Sequence, residues 1–407
     1  MDKPIPYYRV LSYQLFEAAD SSWTLIIAFV FFGVYVEHGL HRPGVDYGWA
    51  LSIATVLSAL LWPIIGAAAD VAGPRHPYLW RFVLGVVGFT LAIPLAGSFW
   101  LALIAFAGAS ICASGAFTMY LSMLPAAAAG RTPSQIVSGA VTIGFFGSLF
   151  SLLAFTLLVP EESQAGRVFV PMAILYLLLT LPAMLAAPDF PDTGQRASIR
   201  GAYQRVKATL SEAPQHAELV RFLSAYALIW SVGLAVPAFM GLYVRNVVGF
   251  SAADLALLYA PAILSGAIGS AIIFRPLITR IGAKRTLIFV VIIWGLFFSV
   301  LFLPPQRWLF IYVAGPLIGL GIAGTEIAAR TILMGLTPPG KSGVIWGVFG
   351  LCDRGANVLG NLTWTIALTV FGETSFGYHA TALALAALLV LGALILIRLP
   401  GAHIAGQ

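Results

Sequence analysis

Long apolar runs recur along this chain of 407 residues, each close to the length a helix needs to cross a bilayer. Lipid offers the backbone no hydrogen-bond partners, so each run must satisfy its own N–H and C=O groups as a helix. Twelve spans are expected, at approximately 11 to 36, 48 to 70, 79 to 97, 99 to 126, 135 to 159, 168 to 187, 219 to 244, 253 to 275, 285 to 303, 308 to 334, 343 to 371 and 377 to 398. The expected fold class is therefore an all-α membrane protein.

Composition closes off the alternatives. A chain that is 60% hydrophobic and 9% charged cannot cover an ordinary soluble surface. The net charge of +6 would suit nucleic acid, but the charges sit in short segments between apolar runs, where they flank a membrane, so no nucleic-acid partner is expected. Cys112 and Cys352 both lie within apolar runs and form neither a disulfide framework nor a metal-ligand spacing. His38 and His41 form an HxxH after Glu37 with no third ligand, and GLGIAG at Gly319 to Gly324 follows no strand. No metal and no cofactor are expected. The first run lacks a small-residue cleavage site, so the N-terminus is expected to be retained.

Lys and Arg orient the spans. With the N-terminus inside, sixteen of the 22 fall on the cytoplasmic side and four outside, while Arg330 and Arg354 lie within spans. Both termini are expected in the cytoplasm, with the chain in a bacterial inner membrane. The longest connection begins PDFPDTG and then places Ile199, Tyr203, Val206 and Leu210 at helical spacing beside basic residues, as expected of a helix on the inner membrane surface. It divides the chain into residues 1–187, a cytoplasmic linker 188–218, and residues 219–407, with six spans in each half.

The halves echo each other in one loop. Between spans 2 and 3 stand Gly66, Asp70, Gly73 and Arg75; between spans 8 and 9, Thr279, Gly282, Lys284 and Arg285 take the corresponding offsets. A glycine on the helix admits another backbone, the second glycine permits a tight turn, and the basic residues suit an anionic leaflet. This G-x-x-x-D-x-x-G-x-R pattern resembles the signature loop of the major facilitator superfamily. The resemblance implies two six-helix bundles around a central site, in which Asp70 helps lock the cytoplasmic side; Thr279 makes any such lock asymmetric.

A closer likeness runs through FEAADSSWTLIIAF, YGWALSIATVLSALLWPIIGAAAD, RFLSAY and GIAGTEIAARTILMGLTPPGKSGVIWGVFG. These resemble the vacuole-effluxer branch of that superfamily. Glu17 and Asp20 match an acid followed three residues later by Asn in span 1, Glu326 and Arg330 match Gln and Arg in span 10, and Arg354 matches a basic residue in span 11. Early in span 7 the branch's Asn-Asp pair is replaced by Trp230 and Ser231. The resemblance implies efflux of an amino-acid-like solute.

Charges within spans carry the chemistry, because each costs about 2.5 to 3.5 kcal/mol unless water or a partner offsets it. Glu17 and Asp20 share a helical face that Trp23 continues; Glu326 and Arg330 are one turn apart; Asp353 and Arg354 begin a polar stripe continued by Asn357 and Asn361. The pairs either fix helix packing or bind solute. Arginine stays charged and holds a carboxylate or phosphate through two parallel bonds, so Arg330 and Arg354 are the expected grip on an anionic group, with Glu326, Asp353, Asn357 and Trp23 around it. Glu17 and Asp20, with no basic residue in their span beyond Arg9, are the expected proton carriers.

A secondary transporter of a small polar or anionic solute, proton-coupled and monomeric, fits best. Against it stand a passive channel or scramblase, which should show rings of like charge or a filter, a uniporter without ion coupling, and a membrane enzyme, which should show a nucleophile with its base.

Overall fold

The computed structural model describes residues 5–36, 40, 61–159, 162–195, 198–211, 216–250, 255–338, 340–372 and 374–400. Among the described residues, thirteen helices of ten or more residues carry the chain: α1 Tyr7–Val34, α2 Leu61–Ala72, α3 His76–Leu95, α4 Phe99–Ser122, α5 Pro133–Leu158, α6 Gln164–Ala186, α7 Ile199–Ser211, α8 Ala217–Tyr243, α9 Leu257–Ile281, α10 Ala283–Leu301, α11 Arg307–Leu336, α12 Ser342–Phe371 and α13 Ser375–Ile397. Among the described residues there is no strand. Ten of these helices are long and apolar enough to cross a membrane. Of the other expected spans, α12 runs 30 residues, about 45 Å, and the second falls partly outside the described residues, which begin again at Leu61.

The outer surface confirms lipid as the solvent. Leu95, Trp100, Leu157, Leu178, Tyr312 and Val370 are all more than half exposed. In water such a surface would drive aggregation; in hydrocarbon it costs nothing.

The chain divides into two compact units. Unit 1 comprises Met1–Arg131, Ile143–Leu210 and Pro338–Leu351; unit 2 comprises Thr132–Thr142, Ser211–Thr337 and Cys352–Gln407. In unit 1, α3 packs on α4 and α6, and α1 packs on α6. Stacked rings fill the gaps: Tyr120 lies against Tyr13 and Phe16 at centroid separations of 4.3 and 4.6 Å, and Phe32 against Phe106 at 3.9 Å. In unit 2, α11 packs on α9 and α10, and α8 on α13. The start of α5 joins unit 2 through a 2.8 Å hydrogen bond between the Thr142 and Ser270 hydroxyls. π-helical stretches occur at Thr24–Phe31, Gly269–Phe274 and Phe310–Ala314, so Glu17, Asp20, Glu326 and Arg330 all stand on regular α-helical turns.

The linker helix α7 packs on protein along part of its surface. Its apolar face, Ala202 and Val206, is buried against Ala67 of α2 and Val344 of α12, with Ile64, Ala68 and Val348 beside them. Of the stripe expected on the membrane surface, Val206 is buried in this cluster and Tyr203 is exposed.

Candidate functional site

The first polar cluster belongs to unit 1 and forms where α2 ends. Gly73 turns the chain at φ 99°, a conformation that side chains strain to adopt. Arg75 folds back beneath the turn, 3% exposed. It donates to the Ala69 carbonyl at 2.7 Å, to the Gly73 carbonyl and to the Asp70 carboxylate, and its guanidinium covers the Phe190 ring at 4.6 Å. Asp70 also accepts the backbone N–H groups of Gly343 at 2.6 Å and Val344 at 2.9 Å, two orphan donors in the first turn of α12. The acid therefore sits at the positive end of that helix dipole. Gly66 lies one turn earlier, and a methyl there would collide with the Gly343 carbonyl, so the two backbones touch.

The linker braces the same loop. The start of α3 reads GPRHP, with no Ser, Thr, Asp or Asn to cap it, and Asp189 supplies the cap from outside. It accepts the Arg75 N–H at 2.7 Å and the His76 N–H at 2.9 Å. Thr193 donates its hydroxyl to the Val71 carbonyl at 2.5 Å and its N–H to the Ala72 carbonyl at 3.2 Å, closing the end of α2.

The second loop is built differently. Gly282 turns at φ 86°, but Thr279 spends its hydroxyl on the Pro276 carbonyl of its own helix at 2.9 Å. Lys284 donates to the carbonyls of Ile397, at 2.9 Å, and Leu399, at the negative end of α13. Arg285 is exposed.

Higher in unit 1, Glu17 is 4% exposed and packs where Gly144 of α5 leaves room for its stem. Asp20 is half-buried and close enough to Tyr176 for its charge to act on the phenol, whose buried hydroxyl has no hydrogen-bond partner among the described residues. Trp23 is 2% exposed and donates its indole N–H to Thr90 of α3 at 3.0 Å, so it serves the packing of α1 on α3.

The second cluster lies in unit 2 around Tyr226. Phe222, Tyr226 and Trp230 stack at four-residue intervals along α8, with centroids 6.2 Å apart at each step. Asp353 of α12 accepts from the Trp230 indole at 2.6 Å and the Tyr226 hydroxyl at 3.3 Å, and pairs with Arg354 at 3.5 Å. Gly360, two turns on, lets α12 reach the Ser231 carbonyl of α8, which brings Asp353 within range of both rings. From α11, Arg330 pairs with Glu326 at 3.3 Å, and the charges of both act on Tyr226. Arg330 is 5% exposed and Glu326 23%. Asn357 accepts from Asn361 at 2.7 Å one turn beyond. The cluster thus offers two guanidinium groups, two carboxylates and two aromatic hydrogen-bond donors.

Residues 18–361 match the pattern of the Major Facilitator Superfamily. The chain belongs to that superfamily. It is accordingly an integral membrane transporter and not an enzyme. Over 392 residues it is 23% identical to an uncharacterized protein of Aquifex aeolicus, covering 96% of each chain. Over 410 residues it is 20% identical to the MFS-type transporter YxiO of Bacillus subtilis, covering 96% of this chain and 94% of that one. A shorter match, 24% identical over 259 residues, joins 56% of this chain to 43% of autophagy-related protein 22-1 of Penicillium rubens, in keeping with the vacuole-effluxer resemblance. Among solved structures, the human organic anion transporter MFSD10 superposes with a TM-score of 0.75 at 17% identity, covering 97% of this chain and all of that one. A bacterial homologue of the iron transporter ferroportin superposes with a TM-score of 0.71 at 16% identity, covering 97% and 99%.

Three residues of this superfamily member's clusters escape a reading of its sequence. Asp189 had a signal in the uncapped start of α3. Tyr226 and Trp230 had one in their aromatic spacing along α8. That the Trp230 indole donates to Asp353 follows only from the meeting of α8 with α12.

Proposed function

We propose that this transporter moves a small anionic solute, with amino-acid-like compounds among those to test, by proton-coupled alternating access. The observation that carries the reading is the cluster around Tyr226, where each intramembrane arginine stands beside an acid: Arg330 by Glu326 and Arg354 by Asp353. Charges held in a membrane at that cost support a binding role. Arg330 and Arg354 grip the anion; Glu326, Asp353 and Asn357 shape the site; Trp23 steadies α1. Glu17 and Asp20, acids within α1, carry protons.

Gly66, Asp70, Gly73 and Arg75 form the principal gate, with Gly282, Lys284 and Arg285 its unequal counterpart. The working division is residues 1–187 and 219–407 joined by linker 188–218, in a monomer with both termini cytoplasmic in a bacterial inner membrane. The bias of Lys and Arg supports that orientation.

Transport assays in reconstituted vesicles test the reading. Replacing Arg330 or Arg354 with Gln abolishes uptake of the anion while the protein still folds; unchanged uptake sinks the anion site. A protonophore that collapses the gradient stops accumulation; undiminished accumulation sinks proton coupling.

A further inference from the structure

We infer that α8 of unit 2 is jointed at Pro237, and that the Tyr259 hydroxyl of α9 is the removable pin that sets the joint. Pro237 stands inside the helix and has no N–H to give the Gly233 carbonyl, so one bond of the helical ladder is missing there. One turn further on, the phenol of Tyr259 enters the ladder itself. Its hydroxyl donates to the Pro237 carbonyl at 2.7 Å and stands within hydrogen-bond reach of the Gly241 N–H, two groups that an undisturbed helix would pair with each other. Gly241 leaves the room for it: a methyl there would lie 3.3 Å from the phenol oxygen.

The two sides of the joint are held in different ways. On the inner side, neighbouring helices press on the α8 backbone. A methyl at Gly360 of α12 would collide with the Ser231 carbonyl, and one at Gly392 of α13 would lie 3.1 Å from the Ala225 carbonyl. Backbone held this closely has no rotamer by which to yield. On the outer side the contacts run through side chains. Phe239 stacks on Trp364, Tyr243 donates to the Leu301 carbonyl at 2.9 Å, and Asn246 donates to the Tyr378 hydroxyl. An apolar crevice lined by Val236, Met240, Tyr243, Phe297 and Leu385 remains among them.

The pin therefore separates a fixed segment from one that can tilt. Withdrawing the phenol leaves two successive turns of α8 without firm bonds, and residues 238–248 swing into the crevice. The inner segment does not follow, so Phe222, Tyr226 and Trp230 keep their stack and Trp230 keeps its aim at Asp353.

Deuterium exchange on the full-length protein in detergent micelles reads the pin. Tyr259→Phe keeps the ring and removes the hydroxyl. Amide exchange over residues 238–248 should rise roughly five- to tenfold, the worth of one lost hydrogen bond, while residues 217–235 stay within about twofold of native. Spin labels on Arg245→Cys and Phe376→Cys, both exposed positions, in a chain carrying Cys112→Ala and Cys352→Ala, report the tilt: their distance distribution should gain a second population when Tyr259→Phe is added. Pro237→Ala returns the missing N–H, so combining it with Tyr259→Phe should bring exchange over residues 238–248 back near the native rate. Unchanged exchange over residues 238–248 in Tyr259→Phe overturns the inference. A rise of equal size over residues 217–235, which marks general loosening, overturns it too, as does an unchanged distance distribution. Exchange that stays raised in the double variant places the joint elsewhere and has the same force. Tyr259→Phe alone decides the matter if the double variant fails to fold.

Discussion

The Asp70 carboxylate accepts the backbone N–H of Gly343 at 2.6 Å, so an acid at the end of α2 caps a helix that begins more than 270 residues later. Ser342, the residue that local chemistry would choose as that cap, gives its hydroxyl to the Ser122 carbonyl at 2.8 Å instead. Asp70 and Arg75 are almost wholly buried, so neither charge has water to fall back on.

Asp70→Asn leaves Arg75 buried without its counter-charge, which costs about 3 kcal/mol. Thermal unfolding in detergent should show a clear drop in midpoint. Thr279→Ala, at the corresponding offset of the second loop, should stay within about 0.5 kcal/mol of the native protein, because that hydroxyl is exposed and bonds only within its own helix.

Gly343→Ala drives a methyl into the Gly66 carbonyl and forces α2 and α12 apart, at about 1 to 3 kcal/mol. Gly88→Ala, on an exposed position of α3 with nothing within 4 Å, should leave stability unchanged or raise it by up to about 1 kcal/mol. Parallel melting curves of the two variants separate close packing from helix propensity.

Val206→Glu puts a charge into the small apolar cluster with Ala67 and Val344. The α7 helix should come off its seat, and trypsin should cut at Arg205 and Lys207 roughly tenfold faster, as expected of a locally opened segment. Equal cleavage rates would mean that the apolar face of α7 contributes nothing to its docking.

Trp230→Phe keeps the stack on Tyr226 and removes the N–H that Asp353 accepts. A hydrogen bond to a charged group is worth about 1.5 to 3 kcal/mol, so affinity for a probe anion should fall roughly ten- to hundredfold. Trp100→Phe, on the exposed outer surface, should bind as the native protein does.

Much of this architecture is written in local pattern. Apolar run length marks the helices, and the spacing of Gly66, Asp70, Gly73 and Arg75 marks the loop, because span length and turn conformation are set within a few residues. What local pattern does not contain is the partner. The spacing of Ile199, Tyr203, Val206 and Leu210 says that one face of α7 is apolar, and only the folded protein shows that Val206, with Ala202, packs on Ala67 and Val344. Trp230 reads as an apolar residue in an apolar run, and becomes polar chemistry only because Gly360 lets α12 close on α8. Asp189 lies 114 residues from the Arg75 amide it caps, a separation at which a bare helix start signals a need without naming what meets it.

One rod carries both clusters. Gly343, held by Asp70, and Asp353, held by Trp230, are ten residues apart on α12, about 15 Å along its axis. A stiff helix cannot turn at one of these points and stay still at the other. Rotation of that helix about its own axis therefore moves the Asp353 carboxylate together with the Gly343 and Val344 amides.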